Sequence, residues 1–574
     1  MPTLSGTPGQ PNSVAAAIGP TFAALAQSIA VPKPGQAVEI SIDVEDPEGV
    51  GAVTLWHALD GGAFAATPMS ETAGRWTATL PGQAAGSIVQ FYVEASDGEG
   101  IVASFPAAGV DSRALVQWDD APPLGGLHGL RLIVREDDSD WMLDPPNLMS
   151  NDLVGATVVY DESEVFYDVG VRTKGSQRGR PQTPRLGYGV HFHADQPFRG
   201  SHTSVLVDRS EGVGYGQREV LMNLVMGRVG AVSAEYNDLA YAITPRSEHT
   251  GPVELQLDRF TNLVLDAQFV DGGEGVLHDY ELIYYPYTSD DGTPEGAKLP
   301  QPDDVIGTNV TSLGSDPEAY RWTFALQNNR EADDWSALIG LCTSFAGDLQ
   351  DVDAVIDVDQ WLRSFALATV SGATDNYGSG AQHNAAFYVR PADGRMLYFP
   401  HDLDFIGGTT MPVVGNADLA RLLDDPVYER LYFQHLEDIL ARAYSPSYLG
   451  RWCDQIGALL PAQNFAGHCQ FVSARADFIA SAITGSFPPI AFAITTQGGM
   501  DFATNADAVE LQGQGWIDVR EIRREGAPLQ VTWLDGDTWS VMVALQPGAN
   551  DVQLDAYDLG GASAGSDTIV ITRN

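Results

Sequence analysis

The stretch DNYGSGAQHN (375–384), continued by AAFYVR (385–390), a turn at Asp393 and Gly394, MLYFP (396–400) and HDLD (401–404), decides how this chain is to be read. A polar, glycine-bearing loop leaves a helical pattern and ends on Asn384. The β-branched and aromatic runs on either side of the Asp-Gly turn then read as a hairpin. In a two-stranded ribbon the start of one strand lies beside the end of the next, so Asn384 and Asp402 should be neighbours. By two-residue alternation Asp402 and Asp404 would point to one side. Hard divalent cations take oxygen ligands of this kind: one or two carboxylates, an amide carbonyl and phosphate oxygens. Asp375 is a third carboxylate, placed to accept the proton of an attacking hydroxyl. Phosphoryl transfer asks little more of a protein than positioning and a cation over the phosphates. The plainer alternative is an ordinary turn at 375–380, with Asp402 and Asp404 capping the next helix.

Outward from this segment the pattern is helical. VDQWLRSFALATVSG (358–372) places Trp361, Leu362 and Phe365 on one face behind Asp357 as N-cap, and VYERLYFQHLEDILARAY (427–444) opens a helical run to 484. Upstream, LRLIVRE (130–136), ATVVYD (156–161), YDVGVRTKG (167–175) and YGVHF (188–192) read as strands, ahead of a helix at about 217–229. Strands first and helices second predict an α+β domain over 127–487. On either side the period changes to two. AVEISIDVED (37–46) and IVQFYVEASD (88–97) belong to an all-β sandwich at 31–120; LQVTWLDGDTWSVMVAL (529–545) belongs to a second at 488–574. Residues 1–30 read as a linker or leader remnant. The fold expected is therefore multidomain, a central α+β domain flanked by two all-β sandwiches. The acids of the first sandwich's turns serve either Ca²⁺ or the turns themselves.

The chain has 31 Lys+Arg against 76 Asp+Glu, a net charge of -45, spread over every segment. A protein that neutralises phosphates over a broad face needs bases, so nucleic acid and anionic membrane surfaces are excluded as partners. No run is long and apolar enough for a membrane span. The opening MPTLSG lacks a basic n-region and an apolar h-region, so an exported, extracytoplasmic protein would carry its signal elsewhere. Only Lys33, Lys174 and Lys298 are lysines. One of them sits in VRTKGSQRGR (171–180), where Arg172, Lys174, Arg178 and Arg180, with Arg185 beyond, reverse the local charge. That hairpin suits either a polyphosphate or a set of internal salt bridges. Of the three cysteines, Cys453 and Cys469 pair across a helical hairpin or all three are buried thiols. GASAG (561–565) matches a nucleophile-elbow pattern but lies in an all-β segment with no helix following. GVGYG (212–216) precedes a helix and reads as a glycine-rich helix entry.

Taken in order, the basic hairpin, the helix, the D…N loop and the P-x-D-x-D hairpin end resemble the CotH family of spore-coat-type atypical kinases, over about 128–445. The family's R-x-K/R-G-(N)-S is matched by Arg172, Lys174, Gly175 and Ser176. Its P-K-K-S-Y strand start reads Pro184-Arg-Leu-Gly-Tyr188 here, and its P-W-D-x-D reads Pro400-His-Asp-Leu-Asp404. The resemblance implies a kinase-like fold and an ATP phosphotransferase using Mg²⁺ or Mn²⁺ on an unknown hydroxyl-bearing phosphoacceptor, protein or glycan. It implies Asp375 as catalytic carboxylate, Asn384 and Asp402 as metal ligands and Asp404 as a possible second carboxylate ligand. Arg172, Lys174, Gly175, Ser176 and Arg185 would bind the nucleotide. Arg185 replaces the family's lysine, and the Asn that follows the glycine is missing. The family's G-x-Y-x-x-x-E segment appears as Gly251-Pro-Val-Glu254-Leu-Gln-Leu-Asp258, leaving Glu254 or Asp258 as the acidic partner. The flanking modules resemble the fibronectin type III and immunoglobulin-like modules of bacterial extracellular proteins. A non-catalytic surface or assembly protein, with a kinase-like scaffold and glycan- or protein-binding sandwiches, is the competing reading.

Overall fold

In the computed structural model, residues 19–119, 121, 126–175, 180–181, 183, 186–209, 218–230, 235–285 and 304–574 are described. Two compact units divide the chain. One holds the residues up to Val213 and Asp238–Leu257; the other holds Gly214–Asn237, Asp258–Tyr285 and Asp304–Asn574.

In the first unit, the alternating runs up to residue 117 form two antiparallel sheets around a shared core. Ile40 and Ile42 from one sheet and Leu55, Phe91 and Val93 from the other are all fully buried, as two-residue alternation requires. Residues 128–258 close a seven-stranded barrel in the order His128–Ile133, Val154–Tyr160, Glu164–Lys174, Gly187–His191, Ser204–Asp208, Gly251–Asp258, Tyr236–Ile243. The last of these returns parallel to the first. Closure leaves no edge for another chain to pair with.

The second unit is built on a four-stranded antiparallel sheet, in the order Phe324–Leu326, Val276–Tyr280, Ala385–Val389, Met396–Pro400. The helix Val358–Ser371 covers one face. Its Trp361 lies parallel to Phe387 with ring centroids 5.4 Å apart, and Trp361 Nε1 donates to the Met396 carbonyl at 2.8 Å. Gln360 closes the sheet's edge: it donates to the Tyr398 carbonyl at 2.7 Å and accepts from the Tyr398 amide at 2.9 Å, satisfying groups that an edge strand leaves open. Phe260 and Phe269 cover the other face, at 5.3 Å from Phe399 and 5.3 Å from Tyr388.

Asp357 caps the Val358–Ser371 helix as expected, accepting from the Gln360 amide at 3.2 Å. The helix foreseen at 217–229 begins at Glu219. Cys453 and Cys469 form a disulfide between adjoining helices, and Cys342 is free and buried. Ser563 opens a strand, so the GASAG pattern is no nucleophile elbow. GVGYG (212–216) lies outside the described residues.

The C-terminal strands, from Ala493 to Arg573, form two further sheets on a core of their own. They are tied to the helices by Arg430, which is 2% exposed. Its guanidinium donates to the carbonyls of Gly515, Trp516, Val519 and Gly536 and lies 3.3 Å from the centre of the Trp533 ring. Arg520 bridges back to Asp359 at 3.0 Å, and Asp359 also accepts from His435 at 2.9 Å.

Candidate functional site

Strand register assembles the site. Ala385 pairs with Tyr280 on one side and Pro400 on the other, so Glu281, Asn384 and His401 stand side by side at one end of the sheet. The His401 amide donates to the Asn384 carbonyl at 3.4 Å, the adjacency the hairpin predicts. Beyond the helix, Gly372 turns the chain in a left-handed conformation (φ 69°), and the loop then pairs with the segment after the hairpin. Ala373 bridges Ile406, the Thr374 amide donates to the Phe405 carbonyl at 2.8 Å, and Gly407 returns a bond to Gly372 at 2.9 Å. Gly378 packs against Ala368 of the helix so closely that a Cβ would overlap it. These ties fix Asp375 beside the strand ends.

Asp375 is half-exposed, and His383 Nε2 meets its Oδ1 at 2.7 Å. Burial holds His383 below its ordinary pKa against the pull of Asp402, so at neutral pH its N–H donates to the carboxylate without cancelling its charge. Asn384 Nδ2 donates to the Asp375 carbonyl at 2.6 Å, leaving its own Oδ1 as an acceptor at the site. Asn384 and Asp402 both hold left-handed backbone, φ 56° and 53°. Such conformations cost energy for residues other than glycine and concentrate where a fold needs a side chain aimed in one direction. The strand ends at Pro400, and with Asp402 left-handed the alternation that would have put Asp402 and Asp404 on one side does not apply. Asp404 is buried, and its carbonyl accepts from Arg218.

Residues not foreseen from sequence complete the site. Arg259 Nε lies 3.2 Å from Glu235, and its Nη2 donates to the His401 ring, 2.7 Å from Nε2. Burial would lower the Arg259 pKa, but Glu235, Asp279, Asp402 and Glu281 together raise it. Burial first, and then the neighbouring Arg259 guanidinium and His383 ring, push His401 well below its usual value, so it accepts as neutral imidazole. Glu281 is pushed up to about 7, by burial first and then by Asp279, Asp402 and Asp375 against the opposing pull of Arg259. Burial likewise raises Asp279. Asp279 and Glu281 are two apart at a strand end, the same D-x-[DE] spacing that singled out Asp402 and Asp404; the signal was in the sequence. Arg259 had no local signal. It arrives through Phe260, packed on Phe399 across more than a hundred residues of chain.

The donors fit a cation that arrives with phosphate oxygens, since Mg²⁺ is usually held by one or two carboxylates plus substrate phosphates. Among the described residues no group of three His, Cys, Asp or Glu side chains is disposed as a ready-made metal cage.

The nucleotide-binding residues foreseen lie in the barrel unit. Lys174 ends its strand opposite Gly187 and pairs with Asp208, an acid not foreseen beside Glu254 and Asp258. Asp208 stands in register opposite Glu254. Arg172 donates to Asn151 at 3.3 Å, and burial lowers its pKa. Arg180 is buried, donating to the carbonyls of Leu148, Ser150 and Gly175 and to Thr173 Oγ1. Gly175 has φ 118°. Ser176 and Arg185 lie outside the described residues.

Residues 237–463 match the family model described as CotH kinase protein. The match covers well under half of the chain. It takes in Asp375, Asn384, Asp402 and Asp404 and begins after the basic hairpin. No curated protein matches. Among solved structures, similarity is found to a Br derivative of BhCBM56 (15% identity, 14% of this chain and 83% of that one, TM-score 0.12). It is found also to a cycloalternan-forming enzyme from Listeria monocytogenes in complex with pentasaccharide substrate (11%, 32% of this chain and 17% of that one, 0.14). A third is the twitchin kinase region from C. elegans (11%, 95% and 100%, 0.16). At these scores none of them bears on fold or function.

Proposed function

We propose that the segment 375–404 is the phosphotransfer centre of a divalent-metal-dependent ATP phosphotransferase of CotH type, carried on an exported protein whose outer modules are immunoglobulin- or fibronectin-like. What supports this reading is one convergence inside the matched span. A half-exposed carboxylate steered by a neutral imidazole, Asp375 with His383, stands beside an amide and a carboxylate at paired strand ends, Asn384 and Asp402. Asp375 accepts the proton of the phosphoacceptor hydroxyl, and the His383 N–H keeps the receiving oxygen in place. Asn384, through Oδ1, and Asp402 would hold Mg²⁺ or Mn²⁺, with Asp404 as a further carboxylate; when bound, the cation neutralises charge on the phosphate oxygens. Arg259 keeps Asp402, Asp279 and Glu281 from repelling one another before substrate arrives. Arg172, Lys174 and Gly175, with Ser176 and Arg185, are proposed separately as phosphate-binding, and Lys174→Met tests that role. The acceptor is a hydroxyl-bearing protein or glycan.

Titration calorimetry with ATP and Mn²⁺, paired with phosphate transfer from labelled ATP, tests the reading. Binding and transfer by the wild type, with transfer lost in Asp375→Asn and binding weakened in Asp402→Ala, is expected. A wild type inert to ATP with either metal, or an Asp402→Ala variant identical to it, would leave the non-catalytic assembly role standing instead.

A further inference from the structure

The loop that carries Asp375 is pinned at two points. From the hairpin, Asn384 holds the Asp375 carbonyl. Two residues on, Tyr377 is held from another direction, by the short helix Ala417–Leu422 and its cap. Asn416 Nδ2 donates to the Tyr377 carbonyl at 2.6 Å, and the Tyr377 hydroxyl donates to Asp418 Oδ2 at 2.8 Å. Between the two points Asn376 is fully buried, and its carbonyl accepts from the amides of Ser379 and Ala381, both at 3.1 Å. Gly380 (φ 95°) passes so near Gly415 that a Cβ would stand 2.9 Å from the Gly415 carbonyl oxygen.

Both latching side chains carry a polar atom beyond what local structure asks of them. Asn416 is the N-cap of its helix, and Oδ1 alone does the capping, accepting from the amides of Asp418 at 2.7 Å and Leu419 at 3.0 Å. Aspartate or serine would cap as well. The Nδ2 that only asparagine adds goes to Tyr377. The Tyr377 ring lies in the aromatic core, edge to face with Phe387 at 5.7 Å and with Tyr398 at 5.3 Å, where phenylalanine would pack equally. Its hydroxyl is the addition, and it goes to Asp418. The helix that receives both bonds is itself fixed. Leu419 and Leu422 are buried, and Arg421 donates to the carbonyls of Phe345 and Gly347 at the end of the helix Ser336–Ala346.

We propose that Asn416 and Asp418 are positioning residues: through Tyr377 they hold the Asp375 carboxylate in place for the acceptor hydroxyl, without touching substrate or metal. This rests on the reading of Asp375 as the base. Asn416→Asp retains the cap, removes the donor and sets a carboxylate oxygen against the Tyr377 carbonyl. In the full chain it should lower kcat for phosphate transfer by about 10- to 100-fold, the effect of displacing a reacting group by about 1 Å, with the KM for ATP unchanged. Tyr377→Phe should lower kcat by less, again at constant KM. Hydrogen exchange gives a readout that needs no activity. In Asn416→Asp the amides of Ser379, Gly380 and Ala381 should exchange about tenfold faster, the loss of about one hydrogen bond, while the helix Val358–Ser371 keeps its protection. A wild type that transfers no phosphate defeats the phosphotransfer reading alone, and the exchange rates then decide this inference. Unchanged exchange in the loop, an unchanged kcat in an active enzyme, loosening spread equally over the helix Val358–Ser371, or a KM for ATP that rises as kcat falls would overturn it.

Discussion

The basic strand end at Arg172–Gly175 and the acidic strand ends around Arg259 look like counterparts in charge, yet the fold treats them differently. In the barrel, two of the described positive groups are met by the protein itself. Lys174 has Asp208, and Arg180 is spread over three backbone carbonyls and a hydroxyl. Around Arg259, among the described residues, Glu235, Asp279, Glu281 and Asp402 all act on one guanidinium, and Glu281 is pushed up to about 7, by burial first and by the neighbouring acids after it. A local charge reversal in sequence therefore marks where charges are, while their balance in space depends on which strands the fold sets side by side.

Four substitutions would break or sharpen this contrast. The largest effect belongs to Asp375→Asn, which removes the proposed base while keeping an acceptor for His383. Phosphate transfer should fall by about 10²–10⁴-fold, with ATP binding retained in calorimetry. Arg259→Met comes next. It leaves buried acids uncompensated, and urea unfolding should register a loss of about 3–5 kcal/mol, the usual cost of removing one partner from a buried charged group.

The third is Glu281→Gln, read as stability against pH. The folded state holds the Glu281 proton up to about 7, well above the unfolded value. Between those two points the native state binds more protons, so stability contributed by this group declines as pH rises and the cost is complete above about 7. The glutamine variant should therefore be more stable than wild type at pH 8, by on the order of 1–3 kcal/mol, and equal to it below about pH 4.5. An unchanged difference across that window would show that the fold does not raise the Glu281 pKa. The smallest effect is expected in the barrel. Asp208→Asn retains a polar partner for Lys174 and should cost about 1–2 kcal/mol in thermal or urea unfolding.

Local pattern disclosed much of the site. The hairpin 385–400, its flanking helix and the Asp357 cap follow from alternation, helical spacing and capping chemistry, each a property of a few consecutive residues. Asn384 and Asp402 followed from the hairpin, because antiparallel register is local information. Arg259 did not follow, because it is brought in by Phe260 packing on Phe399; Asp279 and Glu281 carry a local D-x-E spacing, but sheet order is what sets them beside the hairpin. Lys174 shows the same limit. Glu254 and Asp258 were the acids suggested by motif spacing, and the strand Ser204–Asp208, which runs between theirs and the hairpin, adds Asp208 as a partner.

Arg430 has a practical consequence for how this protein can be cut. The matched kinase span ends at 463, yet Arg430 spends its donors on backbone carbonyls between Gly515 and Gly536. A fragment stopped at 487 would keep a guanidinium in its interior with those acceptors gone. The helical body and the last strands should then melt as a single calorimetric transition, and an expression clone trimmed to the kinase-like region should yield aggregated product where the longer one stays in solution.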